Sequence, residues 1–182
     1  MTGKSHLAAG ACALAQLHAA DVYINAHAPV FITPLWERIS AWSGFSEAQV
    51  FCLAAFFIGT LFPDADNKKS MLGRIIHIPV RHRTWLHAAY LYLGCLFLGA
   101  LHPAFLWFAL GAFVHLFWDS FSPMGVCWFY KLLSDYREYP GGARVKKGFH
   151  ITLYRSAEWT EYLVVFLLAA VSVVLVFLTG RS

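Results

Sequence analysis

His115 and Asp119 stand four residues apart in the stretch HLFWDSFSPMG, residues 115–125, at the end of an apolar run. On a helix that spacing puts both side chains on one face, about 6 Å apart at their Cβ atoms, within reach of one metal ion or two adjacent ones. The alternative is a His and an Asp reaching from a helix end to the membrane interface, although ionisable groups at such a place are costly and usually carry function. Other short stretches hold residues of the same kind. In LFPDADNKK a helix ends near Pro63, and Asp64 and Asp66 follow two residues apart. Alone they are ordinary turn residues; beside His115 and Asp119 they become plausible bridging carboxylates. In RHRTWLHAAY, His82 and His87 flank a helix entry, where they suit ligation or proton transfer, against a plain contact with lipid headgroups. His6 opens the first apolar block. Glu158 follows Ser156, a natural N-cap, so it reads equally as a ligand and as an acid stabilised by the helix dipole. Arg83 and Arg155 could hold a substrate phosphate, or serve only to keep their loops on one side of a membrane.

The elements that must position these residues are apolar. Of 182 residues, 59% are hydrophobic, 17% aromatic and only 13% charged, which excludes an ordinary soluble fold and makes an integral membrane protein the default class. The apolar material comes in blocks between Lys- and Arg-containing loops, not in the short alternating strands of an outer-membrane barrel. The expectation is an all-α, polytopic membrane helical bundle, residues 1–182 forming a single domain. Five apolar blocks can be drawn: 7–24, 44–62, 85–101, 103–121 and 160–179. The last has no charge from Leu163 to Gly180 and meets the length of about 20 residues that a spanning helix needs. The first could pass for a signal peptide, with Lys4 ahead of it and small residues near Ala19 and Ala20; a use for His6 argues for its retention. The third and fourth are joined only by a turn at His102 and Pro103, which predicts a tight helical hairpin with Pro103 at a helix start. Cys12, Cys52, Cys95 and Cys127 show no CxxC pairing and read as small hydrophobes. The stretch YPGGARVKKG, 139–148, reads as a turn-rich, mobile loop.

If all five blocks cross, Lys4 and the loops 63–84 and 122–159 share one side. The loop 25–43, the His102 turn and the C-terminus share the other. Twelve of the fourteen Lys and Arg residues fall on the first side and only Arg38 and Arg181 on the second, so the first side is expected to be cytoplasmic. Topology and anionic lipid thereby account for the net charge of +4, and no nucleic-acid partner is expected. His6, His82, His87, His115, Asp64, Asp66, Asp119 and Glu158 all fall near that same face.

The ordered set of His6, PDAD at 63–66, HRTWLH at 82–87, HLFWDSFSPMGV at 115–126 and RSAE at 155–158 resembles the YdjM-like family of inner-membrane, metal-dependent hydrolases. That family is also labelled LexA-binding, and is distantly grouped with zinc-dependent phospholipase C and single-strand nuclease folds. The resemblance covers nearly the full chain. It implies metal ligation by His6, Asp64, Asp66, His82, His87, His115 and Asp119, with Glu158 as an addition, and the LexA label suggests a link to the SOS response. The sequence departs from the pattern at Asn67, where the family has His, at Thr84, where it has Gly, and at Leu86 and Ala88, where it has Thr and Ser. Ser122 stands for the usual Thr. The hydroxyls lost at positions 86 and 88 are of the kind that orient ligands.

A shell of three or four histidines and as many carboxylates, without cysteine, exceeds one tetrahedral ion and suits two or three Zn²⁺, with Mn²⁺ or Mg²⁺ admitted by the carboxylate share. Such a cluster activates water for hydrolysis. The expected substrate is a phospholipid or lipid-linked phosphate reached at the cytoplasmic leaflet of the inner membrane. Asp66 is expected as general base with His87 beside it, and Arg83 and Arg155 as substrate contacts. The competing expectation is a metal-binding membrane protein without turnover, in transport, regulation or partner binding. Transport would want ionisable groups at mid-bilayer, where these blocks are apolar.

Overall fold

The computed structural model describes residues 1–27, 47–147 and 150–179. Each expected apolar block contains a helix: α1 (Gly3–His27), α2 (Glu47–Leu61), α3 (Ala89–Leu98), α4 (Pro103–Asp119) and α5 (Trp159–Thr179). Pro63, which cannot donate a backbone hydrogen bond, marks the end of α2, and the chain tightens into a 3₁₀ turn over Phe62–Asp66. A second 3₁₀ turn, Trp85–His87, leads into α3. The hairpin between α3 and α4 forms as expected: Pro103 opens α4, and His102 caps it by accepting the Ala104 N–H at Nδ1, 3.2 Å away. Residues 28–43 of the expected outer loop, with Arg38, and Arg181 lie outside the described residues.

The protein is mostly helical, but not all-α. Residues 139–147, expected as loop, form part of an antiparallel hairpin, β1 (Asp135–Tyr139) with β2 (Gly142–Lys147). Tyr136 faces Val145, and Glu138 faces Ala143. Along β2 the buried Ala143 and Val145 alternate with the exposed Arg144 and Lys146, which is strand periodicity. The buried pair packs with Ala88, Cys127 and Tyr130, and the Ala143 N–H donates to the His82 carbonyl at 3.1 Å.

Two helix pairs carry the architecture. Helices α2 and α4 meet backbone to backbone: a Cβ on Gly59 would lie 2.1 Å from the Phe108 carbonyl oxygen, and one on Gly111 2.0 Å from that of Phe56. Close approach through small residues is how helices pack where there is no hydrophobic drive to help them. Helices α1 and α5 are tied at both levels of their contact. Gln16 donates to the Ser172 hydroxyl at 3.1 Å, and the buried Glu161 accepts the Thr2 N–H at 2.7 Å. Met1, Ala9 and Tyr154 form a buried cluster flanked by Trp118, Val164 and Leu168.

Among the described residues α5 is the one helix long and apolar enough to cross a membrane, and much of its Leu, Val and Phe surface points outward. Helix α4, at 17 residues, is about 25 Å long, short of a hydrocarbon core of about 30 Å.

Candidate metal centre

The ends of the elements bring the candidate residues together. His6 lies in the first turns of α1, Asp64 and Asp66 in the turn after α2, His82 and His87 before α3, and His115 and Asp119 at the close of α4. The i, i+4 spacing of His115 and Asp119 does what the sequence suggested. His115 Nε2 lies 3.7 Å from Asp119 Oδ2 and 3.7 Å from Asp64 Oδ1, and His87 Nε2 lies 3.8 Å and 3.7 Å from the same two oxygens. Two histidine nitrogens and two carboxylate oxygens thus surround one point, too far apart to be hydrogen-bonded to each other.

These side chains are buried, and their polar atoms are left over. His87 has no hydrogen-bond partner at either nitrogen, and His115 Nε2, both nitrogens of His6 and Asp66 Oδ2 likewise have none. Buried polar groups are normally paired, so a knot of orphans calls for an explanation. A cation at the centre of the four donors would satisfy two of these orphans, His87 Nε2 and His115 Nε2. Asp64, His87, His115 and Asp119 therefore form a group that could hold a metal ion, and Asp66, His82 and His87 form a second that shares His87.

The surroundings fix the donors. The Nδ1–H of His115 donates to the Thr60 carbonyl at 2.8 Å; a carbonyl only accepts, so Nδ1 carries a proton and Nε2 is turned to the carboxylates. His82 Nδ1 donates to Asp66 Oδ1 at 2.7 Å, and Asp66 Oδ2 lies 3.9 Å from His87 Nδ1. The His6 ring stacks on that of His115, with centroids 3.7 Å apart, and its Nε2 lies 3.3 Å from Asp119 Oδ1. Burial pushes the Asp64 carboxyl up from its ordinary range, because the charged form loses hydration.

Arg83 does not line an open site. Its guanidinium is buried, with Nη2 2.7 Å from Asp119 Oδ2 and Nη1 donating to Ser122 Oγ at 2.8 Å and to the Gly125 carbonyl. Ser122 Oγ in turn donates to the Asp119 carbonyl at 2.7 Å, so the Ser that replaces Thr keeps a hydroxyl in use. Arg83 adopts φ +58°, a conformation costing a non-glycine residue about 1 kcal/mol, and its three polar contacts hold it there. Arg155 is 72% exposed and its nearest carboxylate is Glu158, at 3.9 Å.

Glu158 is not brought to the cluster; its side chain is 48% exposed. The buried acid of this segment is Glu161, which accepts the Thr2 N–H and hydroxyl and the Ala157 N–H. Sequence reasoning missed it, although it is the second residue of the block 160–179. The Met1 nitrogen was missed as well; it lies 2.9 Å from Asp119 Oδ1.

A family model described as YdjM inner membrane protein matches residues 1–181. No curated protein and no solved structure matches the chain.

Proposed function

The chain belongs to the YdjM inner membrane protein family, and on that premise we propose that it is a membrane-bound, metal-dependent hydrolase that cleaves the phosphoester of a phospholipid or lipid-linked phosphate. The observation that carries this reading is the set of four donor atoms on Asp64, His87, His115 and Asp119, separated by 3.7–3.8 Å along four edges. A tetrahedron with arms of about 2.0–2.1 Å has edges of roughly 3.4 Å, so a small contraction would close these donors on a Zn²⁺ ion. The shared His87 favours one ion in this set, with Asp66 Oδ2 left 3.9 Å from the other nitrogen of the His87 ring. A second ion at Asp66 and His82 would oblige His87 to serve both.

A divalent ion held there would act as a Lewis acid toward phosphoryl oxygens and lower the pKa of a water beside it. The protein supplies the proton path. Asp66 Oδ2, buried and without a partner, takes the proton of the attacking water as its oxygen bonds to phosphorus. The phosphorus–oxygen ester bond breaks, and the departing alkoxide takes that proton from Asp66. His82, hydrogen-bonded to Asp66 and 22% exposed, is the route by which a proton on Asp66 exchanges with solvent. Arg83 keeps Asp119 in place and does not touch substrate.

In the membrane reading, α5 spans and the shorter helices enter beside it as a multi-pass bundle, with the donor end at the cytoplasmic leaflet. If all five blocks cross, twelve of the fourteen Lys and Arg residues fall on that side by sequence, which supports this orientation. A lipid substrate then meets the site without leaving the bilayer.

Elemental analysis of detergent-purified protein, wild type beside His115→Ala and Asp119→Ala, tests the centre. About one equivalent of zinc or manganese, lost in both variants while helicity survives, is expected, together with metal-dependent phosphate release from a lipid phosphate. Absence of metal above background after repletion overturns the hydrolase.

A further inference from the structure

Asp64 differs from the other three donors of the set in where it looks. It lines a cavity of about 440 Å³ formed by the first turn of α1, the segment 67–74 and the start of α5, within the size range of small-molecule sites. Its side chain retains 11% exposure, against 0–2% for His87, His115 and Asp119. The cavity is therefore a way in to the donor set from outside.

The charges around it are unbalanced. Lys4, Lys69 and Arg74 line the cavity, all three are exposed, and among the described residues none of them has a carboxylate within 4.0 Å. They come from two stretches far apart in sequence, the first turn of α1 and the 67–74 segment, so no single helix face gathers them. Among the described residues the only acidic one in the lining is Asp64 itself, which the proposed metal ion would engage. Three cations with no carboxylate partner among the described residues, at the entrance to a phosphate-cleaving centre, attract more negative charge than one phosphodiester carries. Beside them the lining turns apolar at Met71, and the next turn exposes Ile75 and Ile76. Tyr162, exposed at the start of α5, has the amphipathic ring favoured at a membrane interface. Charge and apolar surface together describe the two ends of one molecule.

We propose that the cavity of Lys4, Lys69 and Arg74 holds a second phosphoryl group next to the one presented to Asp64, so that the ligand is an amphiphile with a diphosphate headgroup. This rests on the hydrolase reading for the first phosphoryl group; the cationic subsite itself is read from its own residues. It also replaces Arg83 and Arg155 as the substrate-binding cations. Arg83 is taken up by Asp119, Ser122 and Gly125, and Arg155 is absent from the lining.

The test is equilibrium binding, with no turnover required. Full-length protein in nonionic detergent, metal content measured on each sample, is titrated with farnesyl diphosphate, farnesyl monophosphate and inorganic diphosphate, as wild type and as the triple variant Lys4→Gln, Lys69→Gln, Arg74→Gln. Farnesyl diphosphate is expected to bind wild type about tenfold more tightly than either other probe, and the triple variant is expected to lose about tenfold for it while losing no more than about threefold for the monophosphate. Metal content is expected to be the same in both proteins. Equal affinity for inorganic diphosphate would overturn the lipid source. Equal affinities for the two farnesyl phosphates, or a triple variant that binds like wild type, would overturn the subsite while metal binding and hydrolysis stand. A chain that holds no metal, yet shows the diphosphate preference and loses it in the triple variant, keeps the subsite and sinks the hydrolase.

Discussion

Asp64 and Asp119 face the same two histidines at nearly the same distances, 3.7–3.8 Å, yet they sit in opposite electrostatic surroundings. Asp119 is met by Arg83 Nη2 at 2.7 Å and by the Met1 nitrogen at 2.9 Å, and is closed off from solvent. Asp64 has no Lys or Arg nitrogen within 4.0 Å among the described residues and opens on the cavity. The 82–87 segment and α4 are thus charge-compensated before any ligand arrives, and that side is scaffold. The side of the 64–74 segment is left uncompensated, and that side is the port. A binding site that must hold its shape and still accept cargo divides the two tasks between its walls.

The comparison breaks most decisively at Arg83. Replacing it by Met leaves the buried Asp119 carboxylate without its shortest partner, and the expected loss of stability is about 3–5 kcal/mol, read as a lowered unfolding midpoint of the detergent-solubilised protein. Asp64→Asn should move the metal-free protein the other way. It removes a buried charge that has no compensating cation, so a gain of about 1–2 kcal/mol is expected, together with loss of the stabilisation that added zinc gives wild type. If both substitutions destabilise the metal-free protein alike, the division between scaffold and port is wrong. Ser122→Ala sharpens it: the hydroxyl joins Arg83 to the Asp119 carbonyl, and its removal should cost about 1 kcal/mol without abolishing metal binding.

The smallest expected effect lies on the hairpin that backs the scaffold. Tyr130 donates to Glu138, which also pairs with Arg81, and the Tyr130 hydrogen bond leads in holding the Glu138 carboxyl below its ordinary range. A folded-state pKa below the unfolded one means that this anchoring is present above the ordinary carboxylate range and is lost as pH falls through the lowered value. Amide exchange in β1 and β2 should therefore stay slow, relative to the chemical exchange rate, at neutral pH and accelerate only on strong acidification. Glu138→Gln should show the faster exchange already at neutral pH.

The pairs of candidate donors were legible in the sequence because their pairing is local. His115 and Asp119 need only one helical turn, Asp64 and Asp66 only a turn after a proline, and His82 and His87 only a helix entry. What brings the pairs together is tertiary, and there the reading thinned. Glu158 and Glu161 lie three residues apart at the start of one helix, and which of them is buried depends on how α5 rotates against α1. Arg83 looked like a phosphate ligand by type, whereas its burial against Asp119 depends on a left-handed turn that no residue type announces. Lys4, Lys69 and Arg74 could be placed on one face but not in one cavity, since two of them lie more than sixty residues along from the first. The hairpin hid because the strong turn signal at Pro140 and Gly141 drew attention from the alternation of Ala143 and Val145 with Arg144 and Lys146.

The contact of α2 with α4 has a genetic consequence. At Gly59 and Gly111 the opposing atoms are carbonyl oxygens of the main chain, and a carbonyl cannot be made smaller by mutation. A bulky change in an ordinary core is open to rescue by trimming the side chain opposite. Here no side chain stands opposite, so a second-site suppressor of a Gly59 or Gly111 substitution cannot arise by trimming within the joint. Since Asp64 follows the end of one partner and His115 rides on the other, a lesion at this joint should reach the donor set.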